Sequence, residues 1–169
     1  MANIREIIEE KFSKFPSQKT VILKLMEYGL KIKNGKIYCN DIEQDMSSVA
    51  DSCRVDARVV KSAVENIERD PHLSRIFSKL KSTLHLGLVA PELGFGEIVV
   101  EPFDAKDSGI IYWVAETMWR NGISIRQAIG DDPDFTDNAK LYVITDSPIP
   151  PNVIPEIKKS EKIKGVTIY

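Results

Sequence analysis

"DAKDSGII", Asp104–Ile111, decides how the second half of the chain folds. Before it, "FGEIVVEPF" (95–103) has the branched and aromatic content of a strand. After it, Ile110, Ile111, Val114, Ala115, Met118 and Trp119 recur at helical spacing, and Asn121-Gly122 closes that helix. The quoted stretch is therefore a strand-to-helix turn with more polar groups than a turn needs. Beyond the helix, "ISIRQAIG" (123–130) alternates as a strand, with Ile123, Ile125 and Gln127 on one side and Ser124 and Arg126 on the other. "DDPDFTDN" (131–138) is a turn and "AKLYVITD" (139–146) a strand; "SPIPPNVIPEIKKSEKI" (147–163) starts with prolines and becomes a short helix, and "KGVTIY" (164–169) is a last strand. The order β-α-β-β-α-β over 94–169 specifies a ferredoxin-like sandwich, with helices on one face of an antiparallel sheet. Open sheet edges predict pairing between subunits.

Residues 1–82 read differently, as helices around one short strand, and 83–93 as an ordered connector with a strand at "TLHLGLV". The fold class is thus α+β with two domains. Ile4, Ile7, Ile8, Phe12 and Phe15 form one helical stripe, and Pro16 starts the next helix, "SQKTVILKLMEYGLKI". "KIYCN" is the strand. Asp41 is the expected N-cap of a helix carrying Ile42, Met46, Val49 and Ala50. "CRVD" breaks it, and Asp56 caps a second helix burying Val60, Ala63, Val64 and Ile67 until Asp70-Pro71. "HLSRIFSKLKS" reads as a further helix, where a winged-helix domain would have its hairpin.

The charge is unevenly placed. Residues 1–82 hold 15 Lys and Arg against 12 Asp and Glu; residues 83–169 hold 8 against 13. A basic front and an acidic back suggest modules with different partners. No apolar run approaches the roughly 20 residues of a membrane span, and "MANIREIIEEKF" is no signal peptide. Cys39 and Cys53 make no metal-like pair, so the expectation is a cytoplasmic protein with reduced thiols. His72 and His85 support no Ser-His-Asp arrangement, no glycine-rich phosphate loop is present, and "DDPDFTDN" lacks the glycine and closing glutamate of an EF-hand. No catalytic residue, cofactor or metal is expected, and the chain reads as a non-enzyme.

"MSSVADSCRVDARVVKSAV" resembles the bacterial and archaeal helix-turn-helix pattern. Ala50 stands at the small position of the first helix, Val55 at the apolar position after the turn, and Val60 at the buried position of the second helix; Arg54 replaces the turn glycine. The resemblance implies DNA contacts from Arg54, Arg58, Lys61, Ser62 and Arg69. Protein interaction or dimerisation, and then RNA binding, stay open for the same helix pair. Residues 94–169 resemble an ACT domain, an amino-acid-sensing module. Gly109-Ile110-Ile111 matches its first strand-to-helix turn, Gly122-Ile123-Ser124 the opening of its second strand, and Gly165-Val166 that of its last. Ser108, Lys106 and Ser124 depart from a proline and two asparagines of the family. Together the halves resemble archaeal predicted regulators of amino acid metabolism, which join a helix-turn-helix segment to an ACT domain.

That resemblance implies a ligand site in the quoted turn. Amides exposed at a helix N-terminus favour an anion. Gly109 lets a carboxylate approach, Lys106 adds a cation, and Asp104 or Asp107 accepts from an ammonium group. Ser108 and Ile110 complete the turn, and Ile123 and Ser124 of a neighbouring subunit give the other wall. A plain capped turn, with Asp107 or Ser108 as N-cap and Lys106 solvated, is the alternative. The implied function is an amino-acid-responsive transcriptional regulator, a homodimer or higher oligomer through the ACT sheet. The rival is a scaffold that binds a metabolic enzyme without touching DNA.

Overall fold

A computed structural model describes residues 3–169. The chain is α+β, with helices and two antiparallel sheets, and divides into two compact units meeting at Leu84 and His85.

In the first unit, Asn3 and Glu6 form a reciprocal capping box at the start of α1 (Ile4–Lys11). Pro16 opens α2 (Pro16–Glu27), where its missing N–H costs nothing. Strands β1 (Lys31–Lys33), β2 (Lys36–Cys39) and β3 (Ile42–Gln44) then form a three-stranded meander. Helices α3 (Met46–Cys53), α4 (Ala57–Arg69) and α5 (Pro71–Phe77) follow, each begun by an aspartate: Asp45 accepts from the Ser47 amide, Asp56 from that of Arg58, Asp70 from those of His72 and Leu73. Ile8, Ile22, Leu25, Ile37, Ile67 and Phe77 fill one core.

Three expectations are corrected here. The second helix ends at Glu27: the Leu30 amide bonds back to the Leu25 carbonyl at 2.8 Å, and Lys31–Lys33 becomes a strand. Asp41 caps no helix. Asn40 takes φ 57° at the turn between β2 and β3, and Ile42 lies in β3, 65% exposed. The helix starts three residues after Ile42, at the Asp45 cap. The connector forms no strand at "TLHLGLV". It makes short 3-10 turns at Gly87–Val89 and Pro91–Leu93, the Ala90 amide closing locally on the Gly87 carbonyl at 2.8 Å.

The second unit runs β4 (Gly96–Pro102), α6 (Ile110–Arg120), β5 (Ile125–Gly130), β6 (Leu141–Thr145), α7 (Val153–Ile157) and β7 (Ile163–Ile168). The sheet order is β5-β6-β4-β7, antiparallel throughout. Alternation sends Ile98, Val100, Leu141 and Val143 to the helix side, where Val114, Met118, Val153 and Ile157 meet them. The Trp113 indole N–H donates to the Ile157 carbonyl at 2.9 Å and ties α6 to α7. Among the described residues, no helix is long and apolar enough to cross a membrane.

Candidate functional site

The antiparallel order brings three chain segments to one end of the second sheet. The C-terminal end of β4 meets the start of β6, since Val100 pairs with Leu141, and Leu141 in turn pairs with Gly130 at the end of β5. The loop from Phe103 to Gly109 leaves from this end.

That loop is locally organised. The Asp104 carboxylate accepts from the Lys106 amide at 2.8 Å, and its carbonyl from the Asp107 amide at 3.1 Å. Gly109, at φ 87°, is the N-cap of α6, and no side chain caps that helix. The plain reading with Asp107 or Ser108 as N-cap therefore does not hold. A left-handed backbone favours glycine here, and a Cβ at this position would meet no heavy atom within 4 Å. The approach to the first-turn amides of α6 is open.

Beside those amides is a cavity of about 300 Å³. Asp107, Gly109, Ile110, Ile111 and Tyr112 line it from the loop and helix; Gly130, Asp131, Ala139 and Lys140 line it from the hairpin. Asp131 is held in place by the Lys140 amide, 3.1 Å from its carboxylate, and by the Tyr142 hydroxyl at 3.4 Å. Burial, then the Asp131 charge, pushes the Tyr142 hydroxyl above its ordinary pKa, so it stays a donor.

The expected site residues divide. Asp107, Gly109 and Ile110 come together around the cavity. Lys106 turns elsewhere: its ammonium is 2.8 Å from Asp134, whose hydrogen bond holds it protonated beyond the usual lysine range. Asp104 and Lys106 line a neighbouring recess instead. Ser108 offers its carbonyl to the Lys162 ammonium at 2.7 Å. Ile123 and Ser124 follow the far end of α6 and do not line the cavity within one chain. The Ile123 amide closes that helix on Met118, and Ser124 bonds Asp146, whose carboxyl is held low by Arg126 first and Ser124 second. Lys140, Asp131 and Tyr112 were missed from sequence. The sheet order alone, by setting the starts and ends of neighbouring strands side by side, could have revealed Lys140 and Asp131.

In the first unit, Arg54, Val55 and Asp56 make the turn between α3 and α4. Arg54 takes the left-handed conformation at φ 55°, and the Val55 amide bonds the Ala50 carbonyl at 3.0 Å. Arg58, Lys61 and Arg69 project from α4 into solvent; Arg58 is 3.4 Å from Asp56 and Arg69 3.4 Å from Glu65. Ser62, one turn beyond Arg58, lies at the edge of that face. It is half-buried and accepts from Gln18 on α2, which also accepts from Asn66 at 2.8 Å. Among the described residues, no group of three or more His, Cys, Asp or Glu could hold a metal ion.

No family model matches the chain, and no curated protein matches it. Solved structures similar to it at a distance include the following two. A glycine-to-threonine mutant of Rv3291c is 11% identical, with a TM-score of 0.30, over 90% of this chain and 89% of its own. A transcriptional regulatory protein of the AsnC family from Pyrococcus furiosus is 10% identical, with a TM-score of 0.29, over 100% of this chain and 88% of its own.

Proposed function

We propose that the chain is an amino-acid-responsive transcriptional regulator, with a ferredoxin-like ACT domain as sensor and the α3–α4 pair as a helix-turn-helix that contacts DNA. One observation carries the sensor half: the uncapped N-terminus of α6 opens onto a cavity whose lining also includes Asp107, Asp131 and Lys140. The first-turn amides and Lys140 hold a carboxylate. Asp107 or Asp131 accepts from an ammonium group, and Ile111 with Tyr112 offers apolar surface. The volume is at the small end of ligand pockets, which suits one free amino acid.

A second copy of the chain completes the site in this reading. Ile111, Tyr112 and Trp119 are 60%, 67% and 75% exposed on one helix, which is unusual for groups of this size in a lone monomer. Ile123 and Ser124 of that copy would close the cavity from outside, and the open edges of the sheet offer the pairing surface. Arg54, Arg58, Lys61 and Arg69 supply the DNA contacts, and Ser62 ties the edge of that face to Gln18 on α2. Ligand binding would alter the spacing of two helix pairs, to which half-site geometry is sensitive; a coupling of about 1–3 kcal/mol suffices. The chain acts by binding rather than as an enzyme, and the cytoplasm is its compartment.

A melting screen against the twenty amino acids tests the sensor, because a ligand that binds only the folded state raises the midpoint. One or a few should raise it at millimolar concentration, and Gly109→Asp should abolish the rise through strain and repulsion. Flat curves throughout would reject the site. Gel shifts with genomic fragments at low salt, where phosphate contacts are strongest, test the DNA half. The scaffold reading is favoured by the placement of Arg58 and Arg69 beside acids of their own segment, and absence of any shift would select it.

A further inference from the structure

The first unit carries a second cationic surface, on the hairpin of β1 and β2. Ile32 and Ile37 are 3% and 0% exposed and point into the core. Period-two alternation therefore sends Lys31, Lys33, Lys36 and Tyr38 to the opposite face. The register sets Lys31 opposite Tyr38 and Lys33 opposite Lys36. Like charges directly across an antiparallel pair destabilise it, so Lys33 and Lys36 burden the free protein. One acid of β3, Glu43, joins this face opposite Tyr38 and lies 2.8 Å from the Lys36 ammonium. Three cations against one acid leave the surface positive.

The hairpin is also held next to α4. Asn34 and Gly35 turn it with φ 53° and 71°, the left-handed pair that two-residue hairpins use. The Gly35 amide donates to the Glu68 carboxylate at 2.8 Å, which fixes the tip beside the last turn of α4, where Arg69 is exposed.

We propose that this lysine face grips the phosphate backbone of duplex DNA alongside the contact made by α4. The inference rests on the DNA-binding reading above. Charge complementarity identifies the partner as a polyanion. The face presents one aromatic ring, Tyr38, with the Lys31 ammonium 5.9 Å from its centroid. That is no stacking platform for single-stranded bases, so a duplex is the form it fits.

The test is the salt dependence of binding, read by fluorescence anisotropy with the full chain and a labelled duplex of mixed sequence. Changing Lys31, Lys33 and Lys36 together to Gln should lower the slope of log affinity against log salt by about 2.7, since each phosphate contact contributes about 0.9. The same three positions changed to Arg should keep the slope. Should the triple Gln variant fail to fold, Lys33→Gln alone should lower it by about 0.9. An unchanged slope in a folded Gln variant overturns the hairpin contact while leaving the α4 contact standing. A wild-type chain that binds no duplex at low salt overturns both, and tighter binding to single strands than to duplex overturns the choice of partner.

Discussion

The Lys106 ammonium lies 2.8 Å from the Asp134 carboxylate, a salt bridge between the loop before α6 and the β5–β6 hairpin. It takes away the cation that the turn sequence offers to a ligand. Lys140, on the β5–β6 hairpin, is among the residues that line the cavity, and its charge also bears on Glu101. Lys140→Gln should abolish the ligand-induced rise in melting temperature, and Lys106→Gln should leave it nearly intact. The reverse result would move the site into the recess lined by Asp104 and Lys106.

Arg54 ends α3 in the left-handed region, where an L side chain crowds the following carbonyl. Glycine avoids that cost, so Arg54→Gly should stabilise the first unit by about 1 kcal/mol. For a unit of this size, that is a rise of several degrees in its melting midpoint. If Arg54 touches DNA, duplex affinity should fall while the midpoint rises. A fall in both would mean that the Arg54 side chain supports the turn.

Asp70 ends α4 and begins α5, with its carboxylate accepting from the His72 and Leu73 amides. The Lys11 ammonium is its strongest partner and holds the carboxyl below the usual range. Asp70→Ala should cost about 1 kcal/mol through the lost cap, and Asp70→Asn less. A depressed carboxyl stabilises the fold above its unfolded value of 3.8, and that contribution disappears as pH falls through the folded value. The gap between wild type and Asp70→Asn should therefore close on acidification below about pH 4, as urea titrations at several pH values would show.

These residues mark what the sequence reveals. Val60, Ala63, Val64 and Ile67 are legible because one helix supplies the whole pattern, and each is at most 1% exposed. The alternation from Ile125 to Gly130 is legible for the same reason, half-buried and exposed positions taking turns. Three-residue strands such as Lys31–Lys33 and Ile42–Gln44 are too short to display a period, and the four-residue step from Ile42 to Met46 imitates a helix. Ser62 looks outward on a bare helical wheel; its turn toward Gln18 depends on a contact 44 residues away. Lys140 belongs to the cavity only through the order of strands in the sheet, which no local pattern encodes.

Glu97 supplies the opposite pH response to Asp70. It lies on β4, 3% exposed, where burial raises its carboxyl above the ordinary 4.5 and the nearby His85 offsets part of that rise. The folded chain then binds the proton more tightly than the unfolded chain, so stability falls as pH climbs from about 4.5 through the folded value and stays reduced above it. Glu97→Gln keeps the shape and cannot ionise. Its melting midpoint should match that of the wild type near pH 4 and exceed it increasingly toward neutrality. Equal midpoints at every pH would show that Glu97 reaches solvent well enough to ionise at no cost. A variant less stable at neutral pH would show that the ionised carboxylate has a partner in the folded chain, His85 being the nearest candidate.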